Sequence, residues 1–143
     1  MPRLTRDLDR GPAHPIMHPV DAIPWKKNPP TLPPGVEVAL LEGILEEPGF
    51  LAMRLKMPDG YVLPPHWHPH VERVTVISGT LRLGRGEEVD REKTHELPAG
   101  SYSSMPPETP HFGIAVGDTI VQLNAVGPWE INYVNSGDDP RNG

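Results

Sequence analysis

Proline sets the first limit on what this chain can become. Twenty prolines and 14 glycines are spread through 143 residues, with few aromatic side chains and no low-complexity repeat. A proline fixes its own φ and lacks the amide hydrogen that a helix interior or a central sheet ladder needs. A chain interrupted this often is cut into short pieces, which predicts an all-β fold of many short strands joined by tight turns. The length makes one domain the default and is sufficient to bury a core without staples.

Residues 1–34 read as a proline-rich arm. Residues 1–19 are broken by Pro2, Pro12, Pro15 and Pro19, and residues 29–34 hold four prolines in six positions. That excludes a helix and predicts an extended segment wrapped over the domain, with Trp25 as its anchor. Residues 35–134 carry the strand candidates. The first covers 36–41; the second, 50–57, alternates cleanly, with Met53, Leu55 and Met57 on one face and Arg54 and Lys56 on the other. Residues 71–77 are apolar on both faces apart from Arg73 and Thr75, and Ser78-Gly79-Thr80 reads as a hairpin turn into 81–83. Residues 84–93 are charged and read as an exposed loop. Residues 101–105, 111–116, 119–125 and 129–134 complete the strands, and the polar tail 135–143 is expected to fray.

Charge narrows the partners. The formal net charge is -6 with a pI near 5.6, and no cluster of Lys and Arg is present. A phosphate-binding surface needs one, so a nucleic-acid partner is not expected. No apolar run is long enough for a bilayer or for a signal peptide, which points away from a membrane and toward the cytoplasm, with a processed exported form as the alternative. The absence of cysteine removes disulfides and thiolate ligands together. Any metal would be held by imidazole and carboxylate, a donor set suited to iron, manganese, zinc, nickel or copper.

The chemistry gathers between Gly60 and Gly79. His66 and His68 share strand parity, so their side chains point the same way about 6.6 Å apart, and one divalent ion fits between them. Glu72 has the same parity, but on a straight strand it would lie roughly 20 Å from His66, far beyond the ~2 Å of a metal–ligand bond. The chain must bend between them. Pro69 supplies the break, and His70, at the bend, points to the rim or to solvent.

The run Gly60, five residues, His66, one residue, His68, three residues, Glu72, six residues, Gly79 resembles the first motif of the cupin superfamily without a departure in spacing. Leu97-Pro98-Ala99-Gly100 through Thr109-Pro110-His111 is similar to the second motif, although Asn124 falls at a different distance from His111 than the strict pattern sets. The resemblance spans roughly residues 36–126 and implies a double-stranded β-helix, or jelly-roll barrel, with a metal inside and His111 as its fourth ligand. The same ligand pattern is similar to the metal-binding domain of ChrR-type anti-sigma factors, but a helical zinc-binding domain of that kind is not seen in this chain. The family also commonly dimerises, and the apolar outer face around Val71 and Ile77 fits a homodimer.

Three imidazoles and one carboxylate leave about two positions open on an octahedral ion, a site shaped for chemistry. Glu72 either ligates directly or orients a histidine, and if it is no ligand it is the interior candidate for a catalytic base. Met53, Leu55, Val74, Val76 and Met105 are the expected apolar pocket walls, with Tyr102 and Gln122 as polar contributors. The leading expectation is a metal-dependent, dioxygenase-type oxidoreductase acting on a small organic molecule, with iron(II) first among the metals. A Lewis-acid isomerase, lyase or hydrolase, and a non-catalytic metal or small-molecule sensor, are the alternatives.

Overall fold

A computed structural model describes residues 11–142. Its strands are β1 (Lys26–Lys27), β2 (Glu37–Glu42), β3 (Gly49–Met57), β4 (Val62–Trp67), β5 (Glu72–Arg85), β6 (Thr94–Pro98), β7 (Tyr102–Met105), β8 (His111–Gly127) and β9 (Asn132–Tyr133), accompanied among the described residues only by short 3-10 turns. Every pairing is antiparallel.

The two longest strands organise the rest. β5 and β8 pair along their whole length, from Glu72 opposite Ala125 to Arg85 opposite His111. The free edge of β8 takes β3 along its second half and β4 along its first, while the free edge of β5 takes β7 and then β6. β5 and β8 therefore belong to both halves of one curled sheet. The halves close on a shared core, Leu51, Met53, Leu55 and Val74 on one side meeting Leu81 and Ala115 on the other. The architecture is an all-β jelly-roll barrel.

The alternation in β3 comes out as its sequence requires, with Met53, Leu55 and Met57 buried. The hairpin at Ser78-Gly79-Thr80 does not form. β5 runs on through it, bulged between Val76 and Thr80, because β8 stays paired on both sides of the irregularity. Gly79 has φ +76°, and a side chain there would clash with the Asp118 carbonyl. Thr119, fully buried, fills the gap in the ladder: its hydroxyl accepts from Thr80 N at 3.2 Å and lies 3.1 Å from Thr80 O. Likewise residues 111–116 and 119–125 are one strand, bent at Gly117 (φ +72°), and of residues 129–134 only Asn132–Tyr133 is strand. A glycine that permits a positive φ serves a turn and a bulge equally well; the partner strand decides which.

The expected arm is in part woven into the barrel. Its residues 1–10 lie outside the described residues. β1 adds to β2, and Trp25 is only half-buried, with the Lys56 ammonium 5.4 Å from its ring centre. The deep anchor is Leu32, 4% exposed. The tail is also tied down, since Arg141 donates to Ile131 O at 2.9 Å and pairs with Asp139 at 2.8 Å.

Gly79 and Gly117 share nearly the same φ but differ in surroundings, because nothing lies within 4 Å of a side chain added at Gly117. Gly117→Ala should cost about 1 kcal/mol from backbone strain alone. Gly79→Ala should cost at least about 2 kcal/mol more, from the clash with β8. Urea unfolding midpoints of the two variants check this, and equal costs would mean that the bend does not depend on close approach.

Candidate metal centre

Short-range geometry places each ligand candidate. β4 carries two consecutive prolines, Pro64 and Pro65, and its register against β8 slips between Leu63 and His66 because neither proline can donate to the ladder. Pairing resumes with His66 opposite both His111 and Tyr133. β4 ends at Trp67, Pro69 lies in the break, and Glu72 opens β5. His68 O accepts from Glu108 N at 2.8 Å, which ties the break to the loop leading into β8.

His66, His68, Glu72 and His111 are all buried, and each offers a ligand atom within 4.8 Å of the others. Each imidazole is oriented from behind by its Nδ1: His66 to Pro64 O at 2.7 Å, His68 to Glu130 O at 2.8 Å and His111 to Thr109 O at 2.8 Å. A carbonyl can only accept, so these contacts set the proton on Nδ1 and leave Nε2 with a free lone pair in the neutral ring. His66 and His111 use one device. Pro64-Pro65-His66 and Thr109-Pro110-His111 both hold a histidine just after a proline and bonded to the carbonyl just before it.

Glu72 lies between two of the rings, Oε2 2.8 Å from His68 Nε2 and Oε1 3.2 Å from His111 Nε2. The His68 contact is close but poorly directed, so that buried nitrogen is left without a proper hydrogen-bond partner. Buried polar atoms rarely stand so. Donors around an ion at ~2.1 Å are about 3 Å apart as neighbours and ~4.2 Å apart as opposites, so this set needs only a small contraction. The His68 nitrogen that meets Glu72 without a well-directed hydrogen bond, the inward-facing donor atoms and the imidazole–carboxylate chemistry fit a divalent transition metal.

The electrostatics agree with that assignment. Burial, reinforced by His111 and His68, pushes His66 down to about 3 and keeps it neutral. Burial also works against charge on His68, but the Glu72 carboxylate outweighs it and the net shift is upward. For Glu72 burial favours the neutral acid, and the facing His68 and His111 overcome it, holding the carboxyl well below its usual range.

The four candidate ligands line a cavity whose other walls are apolar, among them Leu55, Met57, Leu63, Val74 and Leu81, with a volume of about 40 Å³. Of the pocket residues expected from sequence, Leu55 and Val74 line it. Met53, Val76 and Met105 are buried but are not among its lining. Two fall elsewhere. Tyr102 is 60% exposed on the short strand β7, and Gln122 accepts from Arg54 Nε at 3.0 Å, on the parity opposite to its lining neighbours Val121 and Leu123. His70 is exposed and stands apart from the cluster. Sequence reasoning missed Leu32, Leu63, Leu81, Trp129 and Ile131; the alternation of Leu81 and Leu83 was a usable signal, whereas Leu32 and Trp129 lie outside any alternating run. The Trp129 ring centre is 5.2 Å from that of His68, and its Nε1–H is buried without an acceptor.

A family model described as the cupin domain matches residues 53–127, more than half of the chain. Among curated proteins none matches the sequence. Solved structures supply fold neighbours. A candidate acetylacetone dioxygenase from Methylibium petroleiphilum PM1 superposes with a TM-score of 0.69 at 15% identity, over 92% of this chain and 88% of that one. The polyketide cyclase RemF from Streptomyces resistomycificus gives 0.66 at 18% identity, over 88% and 91%. The Rhodobacter sphaeroides complex of SigE with the anti-sigma ChrR gives 0.54 at 24% identity, over 75% of this chain and 50% of that one. At such identities the likeness shows the fold alone, and the site stands on its own geometry. Fold, motif match and the buried three-histidine, one-glutamate cluster lead to one conclusion: the chain belongs to the cupin family.

Proposed function

We propose that this cupin is a metal-dependent enzyme acting on a small organic molecule, an oxidoreductase of the dioxygenase type, with iron(II) held by His66, His68, Glu72 and His111. One observation carries the reading: among the described residues, the four candidate ligands are the only titratable groups lining the cavity. Acid–base catalysis of isomerisation, elimination or hydrolysis needs a positioned proton carrier beside the substrate. Glu72 was the candidate, and both of its oxygens already face imidazoles in the cluster. A bound ion would supply a Lewis-acidic, redox-active centre for an oxygen-bearing substrate and dioxygen.

The protein's own groups have distinct tasks. The Nδ1 contacts to Pro64, Glu130 and Thr109 carbonyls hold the rings in place before the ion arrives. The apolar walls exclude water and leave space for only a few water-sized groups, so the substrate portion at the metal is small. The unpaired Trp129 Nε1–H offers that substrate one hydrogen bond beside His68.

Two outcomes follow. After anaerobic loading with iron(II), the protein should consume dioxygen with at least one compound from a panel of small diketones and phenols, and Glu72→Gln should lower that rate at least about tenfold. Oxygen-independent turnover with zinc or manganese would instead favour the Lewis-acid class. The second concerns pH. His68 is shifted upward, so it carries its proton to higher pH than a free imidazole and must lose it to ligate. Metal affinity should therefore rise with pH through the His68 transition, by up to about tenfold per unit while one proton is displaced. Calorimetry in two buffers of different ionisation enthalpy reads the released proton, and affinity flat from pH 6 to 8 would contradict the assignment.

A further inference from the structure

We propose that residues 29–35, the tip of the β1–β2 hairpin, form the lid of the metal cavity, and that Leu32 is the residue that sets the length of ligand the cavity accepts. The proposal rests on the reading above that this cavity binds a small ligand at its metal end.

The geometry is that of a loop hinged at both ends. The β1–β2 ladder pairs Lys26 with Val38 and Lys27 with Glu37, and Asn28 N extends it to Val36 O at 3.0 Å. Asn28 Oδ1 then accepts from Gly35 N at 3.0 Å, pinning the two ends of the loop together. Both end residues have positive φ, +50° at Asn28 and +111° at Gly35, so the chain turns sharply where it leaves and rejoins the hairpin. Between them Pro29, Pro30, Pro33 and Pro34 fix φ and remove amide donors, and Leu32 N closes an internal turn on Pro29 O at 3.2 Å. A loop built this way has few conformations of its own.

Its grip on the barrel is narrow and centred on Leu32. Tyr133 Oη donates to Thr31 O and Tyr61 Oη donates to Pro33 O, both at 2.6 Å, on either side of a leucine that is buried and lines the cavity together with the metal ligands. Among the described residues no sheet ladder holds this segment down. Tyr133 also sits opposite His66 in register, with ring centres 6.3 Å apart, so one latch is mounted on the strand that pairs with a ligand. The open space is only about 40 Å³ with Leu32 in place. Leu32 is the lining side chain that this loop contributes, so a displacement of the loop lengthens the space open to a substrate tail.

The test uses cobalt(II)-loaded full chain titrated with straight-chain alkyl hydroxamates of increasing length, followed by visible absorption and stopped flow. In wild type, affinity should rise up to about fourfold per methylene and then fall sharply at a limiting length. Leu32→Ala should move that limit outward by at least one carbon, with Leu32→Val as the gentler variant should the alanine fail to fold. Tyr61→Phe with Tyr133→Phe should raise association and dissociation rates together, at least fivefold, with little change in Kd. A limit unmoved by both Leu32 variants, or rates unmoved by the tyrosine pair, overturns the proposal. Benzene binding to the metal-free protein provides a separate arm: it should tighten in Leu32→Ala, and equal binding would count against the lid. Failure of the metal assignment shows itself differently, as no cobalt spectrum in wild type, and leaves the benzene arm decisive.

Discussion

The pairing of β5 with β8 is the constraint on which the rest depends. Glu72 lies at one end of that ribbon, opposite Ala125, and His111 lies at the other, opposite Arg85. On a flat ribbon the 13 residues from 72 to 85 would separate them by about 43 Å. They are 3.2 Å apart at Oε1 and Nε2. The site therefore exists only because the ribbon curls back on itself, and the bulge at Gly79, the bend at Gly117 and the Thr119 hydroxyl between them make that curl possible. Fold and chemistry share one cause.

Once the barrel closes, the ligands come under the opposing demands of a buried ionic cluster. Desolvation disfavours every charge there, and mutual contact restores the two that face each other, the Glu72 carboxylate and the His68 imidazolium. His66, pressed by burial and by its two imidazole neighbours, stays neutral. Backbone carbonyls behind the rings keep all three Nε2 atoms inward. The arrangement is incomplete as a proton network, since His68 Nε2 is left without a well-directed partner, and it is consistent as a set of donors for one ion.

Much of this was legible in the sequence. The prolines excluded helices, the alternation of Met53, Leu55 and Met57 set the inner face of β3, and the spacing of His66, His68 and Glu72, joined by the His111 that the cupin resemblance implies, named the residues that the fold brings together. The parts that were not legible depend on partner strands. Ser78-Gly79-Thr80 has the composition of a turn, and only continued pairing with β8 makes it a bulge. Gln122 was placed inside although Arg54 was placed outside, yet the two are register partners and share the outer face. Tyr102 belongs to a strand of four residues, too short for parity to declare its inner side. Leu32 sits among prolines with no periodic pattern, and the hydroxyls that hold the carbonyls on either side of it, at Thr31 and Pro33, come from the sequence-remote Tyr133 and Tyr61.

The central claim is that these four side chains hold one metal ion. Elemental analysis of untagged protein after reconstitution tests it most directly, with wild type beside His66→Ala and His111→Ala, both checked for folding by circular dichroism. The account predicts close to one transition-metal ion per chain in wild type, and a loss of most of it in each folded variant. A folded wild-type protein that takes up no metal, or variants that keep the full complement, would contradict it.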